Sequence, residues 1–240
     1  MNLSARLLSI ANKVNQSSNI IDIGTDHGYV PIYLCEKNVI QKAVASDVSK
    51  SSCDKASKNI LEHSQDTRIS VIKSDGLNSI DTMGFDTVVI SGMGGKLIGK
   101  IVDDSVDKFS NIEYLIVQPQ TDVEYVRRKL HDVGYKITDE DIVLEDEIYY
   151  NIIVGKKGNE IYEKEIEYLF GKVLIDRKDK MLKSLLEYEI IKSRDIIKLL
   201  NESKTENAMN RINNINKYII LLDETINSIL IKEGLDECFM

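Results

Sequence analysis

Five short runs that are apolar at nearly every position constrain this chain more than any other feature: residues 19–23, 42–46, 68–72, 86–90 and 113–117. A strand with one face in water alternates apolar and polar residues. Runs without alternation fit strands buried on both faces, as in a parallel sheet covered by helices on either side. The segments between them are long enough for crossover helices, so the first part of the chain is predicted to be an α/β domain of repeated βα units. After a helix predicted at 122–133, two further runs, 135–138 and 148–154, predict an antiparallel pair closing the sheet. The stretch between them, 139–147, holds six carboxylates and is predicted to be an exposed hairpin connection.

Beyond residue 160 glycine nearly vanishes and no strand pattern continues. Ile212, Ile215, Ile219, Leu222, Ile226 and Ile229 are spaced 3, 4, 3, 4 and 3 residues apart, a heptad seam. Leu182, Leu186, Ile190, Ile197 and Leu200 repeat more loosely on a helical period. A polar stretch, 201–207, separates the two, with Thr205 as a candidate N-cap. Two domains are therefore predicted: a catalytic α/β domain over residues 1–157 and an α-helical coiled-coil hairpin over residues 158–240. The hairpin closes its own seam, so a monomer is expected.

The chain carries a net charge of −8, which by itself argues against a nucleic-acid partner. The distribution is uneven. Residues 1–155 hold 16 Lys and Arg against 23 Asp and Glu, whereas residues 172–217 hold 11 against 7. A basic arm on an acidic body is compatible with a polyanion, because only the contacting face must be positive. It is equally the pattern of a solvated helical surface. Cys35, Cys53 and Cys238 form no CxxC pair and have no metal-ligand spacing with the histidines, so neither a metal site nor a disulfide framework is expected. No run approaches a membrane span and no leader is evident, which predicts a cytoplasmic protein. His63 and His131, in predicted helices, are expected at the surface. Arg127, Arg128 and Lys129 form a basic triplet on the helix predicted at 122–133, as well suited to solvent as to phosphate.

The chemistry concentrates at the ends of the predicted strands. Asp22-Ile-Gly24-Thr-Asp26-His27-Gly28-Tyr29 follows the first strand and precedes a helix. Glycines there let the chain turn sharply and bring a ligand close to backbone amides at a helix N-terminus. The dinucleotide fingerprint G-x-G-x-x-G is absent. The acidic-x-Gly-x-x-x-Gly spacing instead resembles the first motif of class I methyltransferases, with Asp26 where a glycine usually stands. A carboxylate at that point suits a cation better than a pyrophosphate. Asp47, at the end of the second strand, is placed to accept from ribose hydroxyls, although a helix N-cap would explain it too. Asp75-Gly76 follows the third strand, where such enzymes use an acidic residue toward the adenine amino group, and where an ordinary turn is the plain alternative. Ser91-Gly92-Met93-Gly94-Gly95 follows the fourth strand as a predicted glycine-rich loop. It lacks the acidic or Asn, proline and aromatic set used to methylate exocyclic amines. A ring nitrogen with an in-plane lone pair needs no proton removed, only positioning and charge stabilisation.

Taken in order, Leu3-Ser-x-Arg6-Leu, Asp22 to Tyr29, Gly92-Met93-Gly94-Gly95 and Gln118-Pro119 resemble the TrmK family, bacterial enzymes that methylate N1 of adenine 22 in tRNA. The likeness runs over residues 2–155, and the helical tail matches the family in architecture rather than by residues. The resemblance implies a class I Rossmann-like methyltransferase sheet, S-adenosylmethionine as cofactor and tRNA as partner. It implies that Asp22, Gly24, Asp26, Gly28, Asp47, Asp75, Gly76 and Gly92 line the cofactor site. Asp26, His27, Met93 and Gln118 would face the target adenine as catalytic residues, Asp26 compensating the positive charge the base gains. Arg6, Tyr29, Gly94, Gly95 and Pro119 would contact the substrate, with Tyr29 available to stack on the base. Gln120 stands where the family commonly has Asn. The competing reading is a methyltransferase of the same fold acting on a small molecule or protein, with the helices as scaffold. A vestigial sheet carrying a recruiting coiled coil fits poorly with three strand-end carboxylates.

Overall fold

The computed structural model describes residues 1–203 and 205–236 and divides into two compact units that meet between Ile161 and Tyr162. Cys238 lies outside the described residues. In chain order the first unit comprises α1 (Ala5–Asn12), β1 (Ile20–Ile23), α2 (Tyr29–Glu36), β2 (Ala43–Asp47), α3 (Lys50–Glu62), β3 (Ile69–Lys73), β4 (Thr87–Gly94), α4 (Gly95–Asp103), β5 (Tyr114–Thr121), α5 (Val123–Asp132), β6 (Tyr135–Glu145) and β7 (Ile148–Lys157). The sheet order is β3-β2-β1-β4-β5-β7-β6, with β1 to β5 parallel and β7 antiparallel to both its neighbours. The unbroken apolar runs have the expected cause: Ile20, Ile21, Val88, Val89, Leu115 and Val117 are all fully buried. From β1 the chain winds outward through β2 and β3, then returns to place β4 on the other side. This reversal opens a crevice beyond the carboxyl ends of β1 and β4, where ligands bind in sheets of this kind.

Several expectations change. The glycine-rich segment after the fourth run is not a loop: Ser91 to Gly94 continue β4, and α4 starts at Gly95. Here β4 pairs with an equally extended β5, Met93 against Pro119 and Gly94 against Thr121, with register shifts around Met93. The acidic stretch 139–147 is not an exposed link either. Asp139 to Glu145 belong to β6, and only Asp146 and Glu147 form the turn, with φ of 51° and 63°, the left-handed pair that a two-residue hairpin demands.

Those carboxylates have partners. Glu140 is fully buried and accepts from Arg127 Nε at 2.7 Å. Asp139 meets Lys13 Nζ at 2.7 Å, and Asp141 accepts from Ser9 Oγ at 2.7 Å. Glu145 accepts from the Arg6 backbone N–H at 2.9 Å, so β6 carries the docking site of α1. The basic triplet is likewise engaged, Arg128 with Glu124 at 2.9 Å and Lys129 with Asp103 at 3.0 Å. His131 is not at the surface: its side chain is 4 % exposed, 3.4 Å from Glu160, and burial holds its pKa below the usual histidine value. His63 is partly buried against Glu36, with Nδ1 at 2.6 Å from Oε1.

The second unit contains α6 (Glu165–Phe170), α7 (Lys172–Asp176), α8 (Lys180–Asn201) and α9 (Glu206–Asp236). Asp179 caps α8 by accepting from Leu182 N at 2.9 Å. Thr205 caps α9 through Ala208 N at 3.3 Å, as its position suggested. The connection is shorter than the polar stretch 201–207, because α8 keeps Asn201 and α9 takes Glu206. The helices pack side by side. Leu182, Leu186 and Ile190 are buried on α8, and Leu222 and Ile229 on α9. Ile212, Ile215, Ile219 and Ile226 are half-buried. Among the described residues, no helix is long and apolar enough to cross a membrane, and no group of three or more His, Cys, Asp or Glu could hold a metal ion.

Candidate active site

Strand β1 delivers Asp22 to the crevice with 4 % exposure. Its Oδ2 accepts from Thr25 Oγ1 at 2.6 Å. Burial nevertheless pushes this carboxyl up to about 6; the Thr25 bond opposes the rise and the nearby charge of Asp47 adds to it. The next turn is pinned to β2, because Gly24 N and Thr25 N both donate to Ser46 O, at 2.8 and 3.0 Å. Gly24 has φ of +76°, a left-handed conformation that favours glycine, and a Cβ there would displace the flexible end of Met93. Asp26, in the same turn, lies 3.2 Å from Lys55 Nζ and 3.3 Å from His27 Nε2. The His27 carbonyl accepts from Asn59 Nδ2 at 2.9 Å, and its ring stacks on Tyr29 with centroids 5.0 Å apart and planes at 10°. Tyr29 is 39 % exposed and is therefore not a core aromatic.

Two cavities adjoin at Gly24. The first, about 340 Å³, is lined by Asp22, Gly24, Thr25, Asp26, His27 and Tyr29 from the β1 side, by Ser91 and Gly92 of β4, by Gln120 of β5, and by Arg6, Leu7 and Val30. The second, about 90 Å³, is lined by Ile23, Gly24, Asp47, Val48, Ser74, Asp75, Gly76, Met93, Leu97 and Ile101. Asp47 is not the N-cap of α3. That position is Ser49, whose backbone N–H donates to Asp47 Oδ1 at 2.8 Å. Among the described residues, neither Asp47 nor Asp75 forms a side-chain ion pair, and the Asp75 carboxylate accepts no hydrogen bond. The second cavity thus presents two carboxylates that form no ion pair among the described residues, walled by aliphatic side chains.

On the β5 side, Gln118 is fully buried. Its Oε1 accepts from Arg6 Nη1 at 2.8 Å and from Gly92 N at 3.2 Å, and its Nε2 donates to Pro119 O at 3.0 Å. Arg6 lies over the Tyr150 ring, 5.3 Å from its centroid. Of the residues expected at the site, Met93 reaches the second cavity and not the first. Gln118, Pro119, Gly28, Gly94 and Gly95 line neither. Gly95 answers a packing need, since a Cβ there would come within 2.6 Å of Thr121 O. Gly28 closes the loop by donating from its N–H to Thr25 O at 3.0 Å, just before α2. Reading the sequence missed Thr25 as the partner of Asp22, a pair three residues apart that could have been found. It also missed Tyr150 beneath Arg6, 144 residues away, for which no local signal exists.

Residues 20–224 match the TrmK family, described as tRNA (adenine(22)-N(1))-methyltransferase. The tRNA (adenine(22)-N(1))-methyltransferase of Bacillus subtilis is 31 % identical over 159 residues, covering 66 % of this chain and 67 % of its own length. A Mycoplasma capricolum TrmK structure in complex with S-adenosyl-homocysteine superposes with a TM-score of 0.76 at 32 % identity, covering 92 % of this chain and 99 % of that one. A Streptococcus pneumoniae structure in complex with S-adenosyl-L-methionine gives 0.83 at 28 % identity, over 94 % of this chain and 100 % of that one.

Proposed function

This chain belongs to the TrmK family, and from that premise we propose that it transfers the methyl group of S-adenosylmethionine to N1 of adenine 22, in the D-loop of tRNA. The observation that carries the donor half is the second cavity. An adenosine offers hydroxyl and amine donors, and Asp47 and Asp75 are acceptors that form no ion pair among the described residues, at successive strand ends between apolar walls. Asp22 fits the same donor from the other side of Gly24: its burial disfavours its own charge, and an ammonium group beside it restores the ionised form. When bound, S-adenosylmethionine supplies an electrophilic methyl group on a sulfonium.

The chain's own residues then hold the acceptor. Adenine N1 carries a free lone pair, so the site positions the base and needs no group to deprotonate it. Asp26, on the wall of the first cavity, offsets the positive charge that the ring gains. Tyr29, already stacked on His27, extends an aromatic surface to a flipped base. Gly24, Gly76 and Gly92 let ligand and backbone approach. Gln120 lines this cavity, so the family position it occupies bears on the reach toward the base. Residues 1–157 act as the catalytic domain. Residues 158–240 act as a coiled-coil arm that holds the RNA by shape and phosphate, which their basic stretch favours. The arm's seam closes within one chain, which favours a monomer.

The test is methyl transfer from labelled S-adenosylmethionine to unmodified tRNA transcripts, with the modified nucleotide mapped. The expected result is N1-methyladenosine in the D-loop, lost when that adenine is replaced. Donor binding without transfer to any tRNA would move the assignment to a small-molecule or protein substrate.

A further inference from the structure

The half-buried guanidinium of Arg6 faces the first cavity without a counter-charge. Among the described residues it forms no ion pair, whereas Arg127, Arg128 and Arg177 pair with Glu140, Glu124 and Asp179. It is held by other means. Its Nη1 donates to the neutral amide oxygen of Gln118, and its Cζ lies 5.3 Å from the centroid of the Tyr150 ring. Gln118 is itself fixed by Gly92 N at 3.2 Å and Pro119 O at 3.0 Å. An amide at this point orients the guanidinium and leaves its charge intact, where a carboxylate would cancel it. Guanidinium N–H groups remain for a ligand, and their fork geometry matches an oxyanion. That oxyanion is not the target ring, since a fixed cation beside a base that becomes cationic would oppose the reaction.

We propose that Arg6 is the oxyanion anchor of the first cavity and that Gln118 is the positioning residue that aims it, touching neither donor nor base. The inference rests on the methyltransferase reading above. The oxyanion has two candidate sources: the carboxylate at the methionine end of the donor, or the phosphodiester flanking the target adenine.

Arg6→Met, Arg6→Lys and Gln118→Glu in the full chain separate these. Calorimetry gives the affinities of S-adenosylhomocysteine and of 5′-methylthioadenosine, which lacks the carboxylate, and steady-state kinetics gives KM for tRNA. Loss of about tenfold or more, as for a charge-assisted hydrogen bond, is expected in Arg6→Met and Gln118→Glu, with Arg6→Lys recovering part of it. A loss confined to S-adenosylhomocysteine assigns the carboxylate. A raised KM for tRNA, with kcat and both small-ligand affinities unchanged, assigns the phosphodiester. Equal weakening of both small ligands, or no change beyond about twofold in any measurement, overturns the proposal. If Gln118→Glu melts well below the parent, the Arg6→Met and Arg6→Lys pair decides the anchor role. If no tRNA accepts a methyl group, the binding measurements alone decide, so failure of the substrate assignment is distinguishable from failure of this one.

Discussion

The carboxylates that end β1, β2 and β3 and those along β6 are the same chemical groups in opposite situations. Glu140, Asp139 and Asp141 each meet a cation or hydroxyl from another element, and Glu145 takes a backbone N–H of α1. Among the described residues Asp47 and Asp75 form no ion pair, and Asp22 has a threonine hydroxyl and a neighbouring negative charge. The β6 set fastens α1 and α5 to the sheet. The strand-end set faces cavities. Between these two sets, a carboxylate's role follows from whether the fold supplies its counter-charge or leaves that to a ligand. Asp26, paired with Lys55 on the cavity wall, stands between them.

The sharpest way to break this comparison is Glu140→Ala. It leaves Arg127 charged and fully buried, a change expected to cost about 3–5 kcal/mol of stability. Thermal melts should drop accordingly while affinity for S-adenosylmethionine in the surviving fold is unaltered. A ligand-affinity loss at constant stability would place Glu140 in the wrong set.

Asp22 should behave in the opposite sense. Its folded pKa is raised from 3.8 to about 6, so between those values the native state binds more protons than the unfolded chain. Stability therefore falls as pH rises through that window and stays lower above it, by about 3 kcal/mol. Asp22→Asn should be more stable than the parent at pH 7.5, with the gap closing toward pH 4, and should bind S-adenosylmethionine more weakly. A gap independent of pH would contradict the burial argument.

Asp47→Ala is expected to weaken donor binding by about 2 kcal/mol, the loss of hydrogen bonds to a charged acceptor, with a melting temperature close to the parent's. A large fall in melting temperature would return Asp47 to a structural role in the turn before α3. The smallest effect is expected for Asp139→Asn. Its partly exposed pair with Lys13 should contribute about 0.2–1 kcal/mol, measurable as a slight shift in denaturant midpoint that shrinks with added salt.

Much of this was legible along the chain. Buried parallel strands announce themselves by runs such as 86–90 because no alternation is needed when both faces are covered. The turn from Asp22 to Tyr29 is local, so its glycines and acids could be read in order. The cap at Thr205 is local too. What misled was pairing across the sheet. Residues 91–94 look like a flexible loop until β5 is seen beside them, and residues 139–145 look like a solvated link until Arg127, Lys13 and Ser9 are seen opposite.

By itself, then, the sequence determined the five parallel strands, the two-part organisation and the acidic strand ends, because each depends on periodicity or on neighbours within a turn. Tertiary structure decided which carboxylates are neutralised, that Met93 packs beside Gly24, and that Gln118 holds Arg6 while Gln120 reaches the cavity. Those depend on groups that meet from distant parts of the chain, and electrostatic and steric terms act through space rather than along the backbone.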